Sequence, residues 1–91
     1  SPQVRFVDPT IDVTGIDGFE ANVHEVHKQN PGNVYSRASL VDSQHGFHRY
    51  HWAIHSPEGQ LFLRGFDVVE TNESGLVLCV IGFFGELALS G

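Results

Sequence analysis

The second half of the chain is three long apolar and aromatic runs cut by two short breaker-rich segments, and this pattern leaves little choice of fold. Phe47 to His55 ends at Ser56-Pro-Glu-Gly59. Gln60 to Glu70 ends at Thr71-Asn-Glu-Ser-Gly75, and Leu76 to Phe84 follows. Pro, Gly and Asn are turn residues, and the runs between them read as strands. Connections this short join antiparallel neighbours, because a parallel return needs a crossover of about a dozen residues or more. Leu76 to Phe84 is almost wholly apolar and is expected at the centre of the sheet. Val34 to Ser43 alternates moderately and is predicted as one further strand, with a turn or bulge at Gln44-His45-Gly46.

The first third is different. Gln3 to Val7 alternates as a short strand, Asp8-Pro9 is a turn signal, and Ile11 to Thr14 reads as a second strand ended by Gly15. Asp17-Gly-Phe-Glu20 fits a capping box, so a helix is predicted from Asp17. Phe19, Val23 and Val26 fall on one stripe of it. Asn30-Pro31-Gly32 ends it, because proline disfavours a helical residue before it. The order ββαββββ predicts an α+β domain on an antiparallel sheet, with a meander of four C-terminal strands.

Composition narrows the function classes. Five Lys and Arg stand against eleven Asp and Glu, for a formal charge of −6. Nucleic acid and anionic membrane surfaces both need a basic face, so neither is an expected partner. Six His would cancel most of that charge at about pH 5 to 6, so solubility should depend on pH. Cys79 is the one cysteine, which excludes an internal disulfide and suits a small buried hydrophobe. With no signal peptide and no apolar run long enough for a bilayer, a cytoplasmic location is expected. The glycines serve turns, nothing resembles a nucleotide loop, and no cofactor is expected.

Side-chain faces follow from the Ser56–Gly59 turn. If Ser56 opposes Gly59, one face carries His48, Tyr50, Trp52 and Ile54 beside Leu61, Leu63, Gly65, Asp67 and Val69. The other carries Arg49, His51, Ala53 and His55 beside Gln60, Phe62, Arg64, Phe66 and Val68. The first set is mostly apolar, and in this register His48 lies opposite Asp67. The last strand presents either Val77, Cys79, Ile81 and Phe83 or Leu76, Leu78, Val80 and Phe84 to the core.

Arg49-Tyr-His-Trp52, Pro57-Glu-Gly59, Gly65-Phe-Asp67-Val-Val-Glu70, Gly75 and Ile81-Gly-Phe-Phe84-Gly85, in that order, resemble the end of SnoaL-like members of the NTF2-like superfamily. Val4-Arg-Phe-Val-Asp8-Pro9, Gly15 before a helix, and Asn30-Pro31-Gly32 are similar to the same group. The resemblance implies a cone in which a strongly bent sheet wraps helices around a largely apolar pocket. Family members include ketosteroid isomerase-like and polyketide cyclase-like enzymes, and also modules with no chemistry. The resemblance also implies helices ahead of the first strand, which this sequence lacks. The expectation is therefore one domain over residues 1–91, incomplete at its N-terminus, whose apolar sheet face finds a second copy.

Asp67 is the leading candidate catalytic residue. On an apolar face its carboxyl should be pushed towards neutrality, which suits a general base, and His48 opposite would orient it. The plainer alternative is a carboxylate bonded to a backbone N–H or to Arg49. Tyr35, Tyr50, Trp52, Leu63 and Phe83 are the expected pocket residues for a small apolar ligand. No metal site is expected. His51 and His55 share a strand face but lie about 13 Å apart, and His24 and His27 on the helix have no further ligand. Two functions remain: acid–base chemistry by an isomerase, cyclase or hydrolase, or a non-catalytic dimerisation or ligand-binding module.

Overall fold

The computed structural model describes residues 3–86. Its elements are β1 (Arg5–Asp8), β2 (Ile11–Thr14), α1 (Ile16–Gln29), β3 (Val34–Arg37), β4 (Asp42–Gln44), β5 (Phe47–His55), β6 (Leu61–Thr71) and β7 (Val77–Phe84). The strands form one sheet in the order β2-β1-β7-β6-β5-β3, with β4 also paired to β5. As expected, β7 is central. Its other neighbour is β1, which runs parallel to it through Arg5↔Cys79, Phe6↔Val80 and Val7↔Ile81. The bent sheet is therefore mixed. Nearly the whole domain separates those two strands, so no local turn signal could announce their pairing.

The predicted strand from Val34 to Ser43 is two strands. The Ser39 hydroxyl accepts a hydrogen bond from the His51 N–H at 2.8 Å, in place of a backbone carbonyl. The chain leaves the sheet there, and Leu40 is 87% exposed. It returns as β4, which closes on β5 through a two-residue turn. His45 and Gly46 both have positive φ, 48° and 82°, the combination a tight hairpin with the right twist requires.

The helix begins one residue before Asp17, and its N-cap is Gly15 rather than a side chain. Gly15 has φ 98° and donates its N–H to Val4 O at 2.8 Å, so the chain turns sharply out of β2. Asp17 lies in the first turn, where a negative charge still favours the helix dipole, but forms no capping box. Phe19 stacks on Phe6 with ring centroids 3.8 Å apart, and Gly18 lies against Val13. These contacts seat α1 on the sheet face that carries Phe6. Val26, at the far end of the predicted stripe, is exposed. Asn30, held out of helical geometry before Pro31, closes the helix by donating to Val26 O.

The hairpins β5–β6 and β6–β7 use the same device. In each, a glycine with positive φ (Gly59, Gly75) donates back three residues, to Ser56 O and Asn72 O. Ser56 then pairs with Gln60, and Asn72 with Leu76. Each hairpin also shifts register once, between Ile54 and His55 and between Glu70 and Thr71. The loop and the shift together move the β5–β6 pairing two residues from the predicted one. Beyond the shift a two-residue move keeps the faces, whereas Leu61, before it, pairs with His55 and lies on the face opposite to the predicted one. His48, Tyr50, Trp52 and Ile54 share a face with Val69, Asp67, Gly65 and Leu63, as predicted, but His48 lies opposite Val69 and Tyr50 lies opposite Asp67.

Candidate acid-base site

Asp67 sits in the middle of β6, opposite Tyr50 of β5 on one side and Gly82 of β7 on the other. Three aromatic donors converge on it. Trp52 Nε1 donates to Oδ1 at 2.8 Å, and the Tyr50 and Tyr35 hydroxyls donate to Oδ2 at 3.0 and 3.4 Å. Tyr35 comes from β3, opposite Ile54, and reaches over Trp52 with ring centroids 5.8 Å apart. Burial pushes the Asp67 carboxyl above its ordinary value, and the nearby charge of Asp8 adds to this. The hydrogen bonds from Tyr50, Trp52 and Tyr35 oppose the rise without cancelling it. Burial likewise raises Tyr35 and Tyr50, helped by the Asp67 charge, so both remain O–H donors.

Two glycines make room for this arrangement. Gly65 lies opposite Trp52, and a Cβ there would stand 2.6 Å from Trp52 Cζ2 and collide with the Phe83 carbonyl. A Cβ at Gly82 would approach Asp67 Oδ1 to 3.1 Å and Asp8 Cβ to 3.3 Å. The bare backbone at residue 82 thus lets carboxylates from β1 and β6 share one space. Asp8 was legible only as a turn residue. It does cap the turn, accepting from Thr10 N, Thr10 Oγ1 and Ile11 N, while the parallel strand brings it to the site. Of the two settings left open for the last strand, the structure takes the one that turns Val80 and Phe84 to this face, and the Phe84 ring meets Trp52 edge-on at 5.7 Å.

Of the predicted site residues, Tyr35, Tyr50, Trp52 and Leu63 share the Asp67 face. His48 shares it too but does not partner Asp67. Its Nδ1 lies 2.7 Å from Ser43 Oγ and its Nε2 lies 3.0 Å from Thr71 Oγ1, so it ties β4 to β6. Phe83 is on the opposite face, because Phe84 pairs with Gly65 and Gly82 with Asp67. There it stacks on Phe66 at 5.0 Å. Arg49 pairs with Asp42 at 2.8 Å and is not available to Asp67. Two open clefts, of about 320 and 330 Å³, are lined mostly by residues of the other sheet face, such as His51, Ala53 and Arg64 in the first and Arg49 and Val68 in the second, and neither is lined by Asp67, Tyr35 or Tyr50. Trp52 and Gly65 line the first; Ser43 and His48 line the second. Among the described residues no three His, Cys, Asp or Glu side chains are grouped to hold a metal, and no helix is long and apolar enough to cross a membrane.

No protein-family model matches the chain, and no curated protein matches it in sequence. Solved structures do. A candidate isomerase of the SnoaL-like family from Agrobacterium tumefaciens superposes with a TM-score of 0.88 at 30% identity, over 94% of this chain and 74% of its own. An NTF2-like protein from Exiguobacterium gives a TM-score of 0.76 at 23% identity, over 96% of this chain and 77% of its own. A candidate SnoaL-like polyketide cyclase from Jannaschia gives 0.75 at 14% identity, over 92% and 65%. The last two share the fold, and the first is related in sequence as well, at 30% identity. The chain described here belongs to the SnoaL-like family of the NTF2-like superfamily.

Proposed function

We propose that this protein is an acid–base catalyst for a small, largely apolar substrate, with Asp67 as the group that accepts and returns the proton. The observation that carries the reading is a half-buried carboxylate, raised above its ordinary value, that is held by three neutral donors and no cation. Such a group is poised nearer neutrality than a surface aspartate, where general-base catalysis is most effective. When Asp67 takes a proton from a C–H beside a carbonyl, its oxygens accept hydrogen bonds less strongly. Tyr50 and Tyr35 are then released to donate to the oxyanion that develops on the substrate. The candidate isomerase and cyclase among the relatives support this class of chemistry.

Exchange of the α-protons of 2-tetralone in D2O, followed by NMR, tests the reading without knowledge of the natural substrate. The protein should accelerate exchange, and Asp67→Asn should reduce the acceleration at least ~100-fold. Equal rates with both proteins would sink the assignment.

A second, non-catalytic reading has its own observation. On the face away from Asp67, Phe83 and Ile81 are 47% and 37% exposed beside the stacked Phe66. We propose that a second copy of the chain covers this face. Sedimentation should give a dimer at micromolar concentration, and Phe83→Glu should yield a folded monomer. A wild-type monomer at that concentration would remove the reading.

A further inference from the structure

The cations of this chain have carboxylates to spare, eleven against five, and three of the four arginines have taken one. Arg5 pairs with Asp12 at 2.7 Å, Arg49 with Asp42 at 2.8 Å and Arg64 with Glu86 at 2.8 Å. Arg37 has no ion pair or side-chain hydrogen bond among the described residues. It is also the arginine placed at the candidate site. In β3 it lies directly opposite Trp52, so it shares a face with Tyr35, Tyr50 and Asp67. Its positive charge reaches the Tyr50 hydroxyl, where it opposes the rise that burial causes.

The site is therefore polarised across the sheet. Asp8 and Asp67 lie on β1 and β6, and Arg37 lies on β3, beyond β5. Two strand spacings and a two-residue offset along the strands separate Asp67 from Arg37, about 12 Å between backbones. Between them lie the rings of Tyr50, Trp52 and Tyr35. Trp52 is buried beneath Tyr35, so an apolar body would lie on the Tyr35 and Tyr50 rings; an anionic group at one end would then rest on the guanidinium while a C–H is presented to Asp67. The separation limits repulsion between the ligand's charge and the carboxylates. A planar guanidinium grips a carboxylate with two parallel hydrogen bonds, which fixes orientation as well as affinity.

We propose that Arg37 is the anion-binding residue of the Asp67 site and that the substrate is a carboxylate on an apolar body. This rests on the reading of Asp67 as the acid–base group and adds the substrate class to it.

Trp52 is the one tryptophan and lies in the cluster, so its fluorescence reports binding directly. Two matched pairs serve as probes: cyclohexylacetate with 2-cyclohexylethanol, and octanoate with 1-octanol. Each carboxylate should bind at least about tenfold more tightly than its alcohol. Arg37→Gln should weaken carboxylate binding about tenfold and leave the alcohols unchanged. Arg37→Lys should recover only part of the loss, because an ammonium lacks the fork. Equal affinity for acid and alcohol, or no effect of Arg37→Gln, overturns the role of Arg37 and leaves the Asp67 reading standing. If neither member of either pair perturbs Trp52, the inference and the site reading fall together.

Discussion

Two carboxylates on opposite faces of the same sheet are held in opposite ways. Asp67 lies among Tyr35, Tyr50 and Trp52, bonded by three neutral donors, and burial is the largest influence on it. Asp12 lies on the other face, opposite Val7, and meets Arg5 through two hydrogen bonds of 2.9 and 2.7 Å in open solvent. The Arg5 hydrogen bond holds the Asp12 carboxyl below its ordinary value, whereas Asp67 is raised. The difference is one of solvent and partner. Water and a bonded cation favour the charge on Asp12, and burial among aromatic rings, with no cation bonded to the carboxylate, disfavours it on Asp67. A surface pair of the first kind contributes little to stability, while the second kind leaves a carboxyl nearer neutrality.

The harshest way to break the contrast is to spoil the space that Trp52 occupies. Gly65→Val puts side-chain atoms into the Trp52 ring and against the Phe83 carbonyl, and should cost about 3 kcal/mol or more. Urea unfolding followed by Trp52 fluorescence would check this, and a near-wild-type midpoint would mean the indole is not packed as described.

A finer test uses pH. The folded value of Asp67 is raised above the unfolded one, so the folded state binds the proton more tightly. The stability this provides is fully present below the unfolded value of about 3.9 and is lost as pH rises through the folded value. Asp67→Asn cannot lose it. Relative to wild type, the variant should therefore gain stability from about pH 4 towards pH 7. A difference in urea midpoint that stays flat with pH would contradict this.

The smallest effect belongs to the other face. Asp12 has the opposite sign, its contribution present above the unfolded value and lost as pH falls through the folded one. Arg5 and Asp12 side chains are 55% and 56% exposed, so Arg5→Gln should leave the urea midpoint at physiological salt unmoved within error. A clear drop would place that pair in a drier setting than its exposure indicates.

What the sequence disclosed about the fold was local. The runs around Trp52 and Asp67 carry their strand character in alternation and the run around Val80 in its continuous apolar stretch, and Pro57, Gly59 and Gly75 mark the turns between them. Faces were legible for the same reason: alternation survives any even error in register. Partners were not. Whether Tyr50 or His48 opposes Asp67 depends on which backbone groups Ser56 and Gln60 exchange, and on where a bulge falls. Asp8 was harder still, because a parallel strand from the far end of the chain delivers it. Phe83 and Phe84 could be told apart only once Gly82 was known to face Asp67.

The paired loop and register shift in the β5–β6 hairpin have a consequence for folding fidelity. Phe62 is the residue left unpaired where the register moves. If the hairpin closed without that step, every residue of β6 beyond it would turn over. Asp67 would emerge beside Arg49 and His51, away from all three of its donors. Side chains tell the two hairpins apart: Leu63, Gly65, Asp67 and Val69 meet the Tyr50 and Trp52 face in one register only. The residues proposed to do the chemistry are thus among those whose placement depends on that single step.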